Sequence, residues 1–196
     1  MSSRSKPNLF KGIGLGLLLF SGFILYRLFN DPIKQELGYV VRTQQPVKEL
    51  LPPNTDFSLT IDKIGASAAI IQDVSPYDSK EYQLALKDGV AHASGTKVPG
   101  QGGNIFLFAH SSADLLTAER YNSVFYLMHH LMPGDTIKLW YQGLEHDYLV
   151  TEKHFVSPND TKYLTTNYSV ETLTLMTCWP PGTTFKRLIV LAKRSK

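Results

Sequence analysis

The chain has 196 residues, enough for one domain with a full core plus flanking segments, and its 20 Lys and Arg exceed its 17 Asp and Glu by three. That excess is all N-terminal: residues 1–29 carry Arg4, Lys6, Lys11 and Arg27 with no acid, whereas residues 30–196 carry 16 basic side chains against 17 acidic ones. A nucleic-acid binder would place its basic excess on the folded part, so nucleic acid is excluded as a partner.

In chain order, residues 1–8 read as a short cytoplasmic N-terminus and 9–29, LFKGIGLGLLLFSGFILYRLF, as a membrane-spanning signal anchor. The uncharged centre, Gly12 to Tyr26, makes only about 22 Å of helix, short of a hydrocarbon core of about 30 Å. The whole of 9–29 makes about 31 Å, with Lys11 and Arg27 placed to snorkel toward the headgroups. A cleaved signal peptide has an equally short apolar region, but its cleavage site needs small residues, and the first alanine is Ala66. An uncleaved anchor is therefore expected. Basic residues before the span outnumber the single Arg27 after it, which keeps the N-terminus cytoplasmic. The expectation is a single-pass type II protein of the plasma membrane with an extracytoplasmic domain.

Residues 30–56 have proline at 32, 46, 52 and 53 and no sustained apolar period, the pattern of a stalk with at most one short helix. The folded domain is expected over 57–196. Runs rich in β-branched and aromatic residues recur there: FSLTI (57–61), AAII (68–71), NIFLFA (104–109), TIKLWY (136–141), HDYLVTEKHFV (146–156), ETLTLMT (171–177) and RLIVLA (187–192). Turn clusters such as Lys87-Asp88-Gly89, Val98-Pro99-Gly100 and Pro133-Gly134-Asp135 separate them, and helical pattern is confined to 81–86 and 122–131. Seven or eight short strands predict an all-β domain, a closed barrel or a sandwich.

Cys178 is the only cysteine. Outside the cytoplasm a lone thiol pairs with another molecule, performs chemistry, or is buried and inert, and the count alone leaves all three open. A catalytic thiol needs a base or a nearby cation, because its ordinary pKa near 8.5 leaves little thiolate at neutral pH. Of six histidines, His110 is the best placed, ending the run NIFLFA at the start of a polar turn, HSSAD, and His92 in the glycine-rich segment VAHASGTKVPGQGG comes second. His129, His130, His146 and His154 are expected to have surface roles. Arg187 opens the run RLIVLA after the loop CWPPGTTFK, where a guanidinium can return toward Cys178 and stabilise a thiolate or an oxyanion. No paired Cys/His spacing or H-E-x-x-H occurs, so no metal site is expected.

T-L-x-T-C at 174–178, followed nine residues later by Arg187, with His110 closing a strand in the context GGNIFLFAH, resembles the sortase family of cysteine transpeptidases. The similarity covers roughly 57–196 and includes G-T-x-x-P-G-x-G-G-N at 95–104. The resemblance implies a closed eight-stranded β-barrel with short helices behind an N-terminal transmembrane helix. It implies Cys178 as nucleophile, His110 as general acid and base, Arg187 as stabiliser of substrate and intermediate, and Thr177 as a residue that shapes the substrate groove. Its implied partners are proteins with LPXTG-like C-terminal sorting signals, and an amine acceptor on a cell-wall precursor or another protein. No cofactor is implied, and calcium dependence is left open.

Pilin-polymerising members of the family carry a lid with an Asp-Pro-aromatic motif and a second membrane helix. Here the only Asp-Pro, Asp31-Pro32, is followed by Ile33, and the sequence ends in AKRSK, so an enzyme that attaches proteins to the wall is favoured. LPPNT at 51–55 superficially resembles a sorting motif but fits a proline-rich stalk. The alternatives are a pilin-polymerising sortase, an exported thiol peptidase of another fold, whose cysteine usually precedes its histidine, and an anchored binding module with an inert thiol.

Overall fold

The computed structural model describes residues 7–44, 48–111 and 123–195. Arg4 and Lys6, the polar turn beyond Ser111 and the Asn122 start of the expected helix lie outside the described residues.

Eight strands form the domain: β1 (Phe57–Ile61), β2 (Ala66–Val74), β3 (Val90–Ala93), β4 (Asn104–Phe108), β5 (Thr136–Tyr141), β6 (Leu144–Val156), β7 (Thr172–Trp179) and β8 (Lys186–Arg194). They close into a barrel in the order β1-β2-β3-β4-β7-β8-β6-β5, with β1 and β5 paired across the seam. Period-two alternation builds the interior. Leu59 and Ile61, Ile105 and Leu107, Ile137 and Leu139, and Leu173 and Leu175 are all fully buried, two apart on β1, β4, β5 and β7. Each such side chain contributes roughly 1.5–3 kcal/mol relative to exposure. Every expected run lies in or over an observed strand, and β3 is an eighth strand inside the segment read as a glycine-rich approach.

Two strand pairs are parallel, β2 with β3 and β4 with β7. The first is joined by helix α2 (Ser79–Asp88), whose N-terminus is capped by the Asp78 carboxylate accepting from the Lys80 and Glu81 amides. At Gly89, just after α2, a Cβ would lie 2.2 Å from the Ala69 carbonyl oxygen, so only glycine admits this approach of helix end to strand. A 3-10 helix, Tyr126–His130, replaces most of the helix expected over 122–131.

The largest departure from expectation is helix α1, which runs unbroken from Pro7 to Thr43 with Pro32 inside it. At 1.5 Å per residue its 37 residues extend about 55 Å, so the first part of the expected stalk is helix. Tertiary contacts account for it. Gln35 Nε2 donates to Ser123 Oγ at 2.9 Å, Glu36 meets His130 Nε2 at 3.0 Å, and the Tyr39 ring stacks on His130 at 4.0 Å. The packing face is mostly polar, which is why a search for apolar period passes over it. Further toward the N-terminus, Ile13, Leu15, Leu17, Leu18, Leu19 and Phe20 are all exposed. Among the described residues no helix is long and apolar enough to cross a membrane.

Candidate active site

Strand register brings the expected site residues together. β4 and β7 pair in parallel from Asn104 opposite Thr172 to Phe108 opposite Met176. The ladder continues past the strand, because the Ala109 amide donates to the Met176 carbonyl at 3.2 Å and the Thr177 hydroxyl donates to the Ala109 carbonyl at 2.8 Å. One more step of the same offset sets His110 level with Cys178. On the other side of β7, the antiparallel register places Arg187 of β8 directly opposite Cys178. Cys178 and Arg187 are thus paired on β7 and β8, and His110, two residues beyond the end of β4, stands at their level by backbone register; all three are partly exposed.

A family model described as a sortase domain matches residues 59–195. The chain belongs to the sortase family. Sortase D of Bacillus subtilis (strain 168) is 29% identical over 139 residues, a match covering 69% of this chain and 62% of that protein's length. Among solved structures, a lid mutant of Sortase A from Corynebacterium diphtheriae superposes with a TM-score of 0.60 at 25% identity, covering 79% of this chain and 76% of that one. A Clostridium perfringens Sortase D5 transpeptidase gives 0.58 at 25% identity, covering 82% and 89%.

Within the sortase domain the hairpin between β7 and β8 turns at Pro180, whose carbonyl accepts from both the Thr183 amide and hydroxyl, at 3.0 and 2.8 Å. The turn returns the chain so that Lys186 faces Trp179 and Arg187 faces Cys178. Arg187 Nη1 makes long hydrogen bonds to the Thr184 and Lys186 carbonyls, at 3.4 and 3.3 Å, and no acid among the described residues pairs with its guanidinium. Its fork is thus available to another acceptor.

Thr177 is 2% exposed. Alternation puts it on the face of Leu173 and Leu175, so the side chain expected to shape a groove is buried and its hydroxyl holds the carbonyl preceding His110. His92, second among the expected bases, is also buried. Its Nε2 lies 2.9 Å from the Lys97 carbonyl and its Nδ1 accepts from the Asp73 amide, while burial holds its pKa below the ordinary histidine value. It serves to fix the loop leading into β4.

Glu171, read only as the start of a strand run, is the residue the sequence hid. One carboxylate oxygen accepts from the Gly100 and Gly102 amides at 2.9 and 3.1 Å, and the other from Tyr148 Oη at 2.7 Å and Arg194 Nη1 at 3.0 Å. Both glycines have positive φ, open to glycine without steric cost, and this brings their amides onto one acceptor. The loop that feeds β4, and so His110, is thereby tied to the barrel. Burial works to raise the Glu171 pKa, but hydrogen bonds from Tyr148, Gly102 and Arg194 outweigh it and leave the pKa lowered. Glu171→Gln should destabilise the domain by about 3 kcal/mol, the scale of breaking a buried pair. A lowered folded pKa gives stability that is full above the unfolded carboxylate value, about 4.3, and is lost as pH falls through that value toward the folded one. The gap between wild type and variant, measured by denaturant melts, should be complete at pH 7 and shrink below about pH 4.

The remaining histidines depart from expectation in three of four cases. His146 is buried, with its pKa lowered by burial and then by Arg194. His129 and His130 are half-buried between α1 and the barrel, and burial, then His130, lowers the pKa of His129. Only His154 is a surface residue, paired with Glu152 at 2.8 Å.

Proposed function

We propose that the protein is a membrane-anchored cysteine transpeptidase that joins proteins bearing LPXTG-like sorting signals to an amine of the cell wall. The reading is supported by the pairing of Cys178 with Arg187 across β7 and β8 and by the β4–β7 register, which carries His110, just past β4, to the level of Cys178. The Cys178 thiolate attacks the Thr-Gly carbonyl of the signal, forming a tetrahedral oxyanion that the Arg187 guanidinium stabilises. Collapse breaks the C–N bond as His110, in its imidazolium form, protonates the departing glycine amine. The thioester is then opened by the acceptor amine, which gives one proton to His110 as the C–S bond breaks, and the starting thiolate–imidazolium pair is restored. A similar structure named as a transpeptidase, from Clostridium perfringens, supports this class of reaction.

The test is direct. The full chain in detergent, given a panel of LPXTG-like peptides and several amines, should release the C-terminal fragment of at least one peptide and form the matching amine adduct, both read by mass spectrometry. Cleavage of none of the peptides would overturn the assignment.

Thr177 enters this mechanism as a positioning residue. Thr177→Val keeps the shape but leaves the Ala109 carbonyl unsatisfied, at a cost of about 1–3 kcal/mol. Expected is a loss in kcat with KM for peptide little changed, measured by steady-state kinetics, since the side chain has no exposed surface to offer substrate.

The anchor is residues 9–29, leaving the catalytic domain extracytoplasmic; the exposed apolar side chains of α1 support it. Membrane-extracted protein should retain the anchor, and N-terminal sequencing that finds a start between residues 27 and 45 would refute this.

A further inference from the structure

Glu36, His129 and His130 lie on two elements far apart in sequence, helix α1 and the 3-10 helix Tyr126–His130, and their ligand atoms all fall within 4.8 Å of one another. Glu36 Oε1 is 3.6 Å from His129 Nε2, and Glu36 Oε2 is 3.0 Å from His130 Nε2. A tetrahedral ion with ligand bonds of 2.0–2.1 Å holds its donor atoms about 3.4 Å apart; the two contacts, each through a different Glu36 oxygen, lie on either side of that value, and one donor atom from each residue falls within 4.8 Å of the others. We propose that Glu36, His129 and His130 form a site for a divalent transition-metal ion of the zinc type, which clamps helix α1 to the barrel.

Three further features match such a site. His129 Nδ1 lies 3.1 Å from the Tyr126 carbonyl, which fixes the proton there and leaves the Nε2 lone pair facing Glu36. A backbone carbonyl behind a ligating imidazole is the usual arrangement that orients the ring. Tyr39 stacks on His130 at 4.0 Å with an interplanar angle of 14°, holding the second ring in place. The three side chains remain 21–40% exposed, which leaves room for the ion to reach the site and for a solvent molecule to complete four-coordination. Two imidazoles and one carboxylate suit zinc and its neighbours and suit calcium poorly.

The clamp would reach the candidate active site. The His129 ring lies 5.0 Å from that of Trp179, the residue after Cys178, so an ion at this site couples the orientation of α1 to the end of β7.

The experiment uses the full chain in detergent with Cys178→Ala, so that the thiol cannot act as a ligand. Metal-stripped protein titrated with Co²⁺ should take up one equivalent with the visible bands of a tetrahedral nitrogen and oxygen site, and Zn²⁺ should displace it and raise the melting temperature. Glu36→Gln, nearly isosteric and partly exposed, should keep the fold yet weaken binding more than about 100-fold, beyond the 10- to 100-fold typical of losing a supporting group. His129→Asn should do the same, and His154→Asn should change nothing. Absence of stoichiometric Co²⁺ binding, or binding that survives Glu36→Gln, would overturn the proposal.

Discussion

Cys178→Ala is expected to abolish both peptide cleavage and amine transfer while leaving the fold intact. The side chain is partly exposed at the end of β7, its backbone pairing with Arg187 does not depend on the sulfur, and Ala removes only one atom. A stability change well under 1 kcal/mol follows, because little buried surface is lost. Activity should fall on the order of 10⁶-fold, the scale of removing a nucleophile that works as a unit with its base. Product analysis and a melting curve on the same preparation check both halves. Activity above trace levels would remove Cys178 from the mechanism.

Arg187→Lys separates a point charge from a shaped donor. An ammonium a few ångströms from the thiol has a similar Coulomb effect, so if charge alone mattered lysine would largely substitute. A planar fork that hydrogen-bonds the developing oxyanion cannot be replaced by a single donor centre. The expected result is a loss on the order of 10²-fold in kcat/KM, with a much smaller change in the rate of Cys178 alkylation at neutral pH. Near wild-type turnover would reduce Arg187 to an electrostatic role.

The barrel strands were legible because β2, β5 and β6 alternate along part of their length and the others, such as β4 and β7, are runs of β-branched, aromatic and aliphatic residues bounded by turns. β3 was not, since it is only four residues, VAHA, with two alanines and a histidine, at the head of a glycine-rich segment. His110, Cys178 and Arg187 can be picked out as motif positions, and the β7–β8 hairpin pairs the last two locally, but the level of His110 rests on the parallel offset between β4 and β7, which no local pattern encodes. Glu171 was hidden for a related reason. Its partners Gly100, Gly102, Tyr148 and Arg194 come from three other parts of the chain, and as a single letter it reads as an ordinary strand-end acid. The second half of α1 was missed because prolines and a polar packing face outweighed a helical pattern that only Ser123, His130 and their neighbours make favourable.

The grouping of His110, Cys178 and Arg187 is unequal in origin. Cys178 and Arg187 meet through a hairpin, a loop closure of low entropic cost, whereas His110 arrives by parallel pairing across a span that includes all of β5 and β6. One of these two approaches is therefore local, and the other is a property of the closed barrel. A partly opened domain that lost the contact of β4 with β7 would keep the thiol and guanidinium as neighbours but part them from the imidazole. On the chemistry proposed above, an unfinished chain would carry an unarmed thiol, and closure of the barrel would itself arm it.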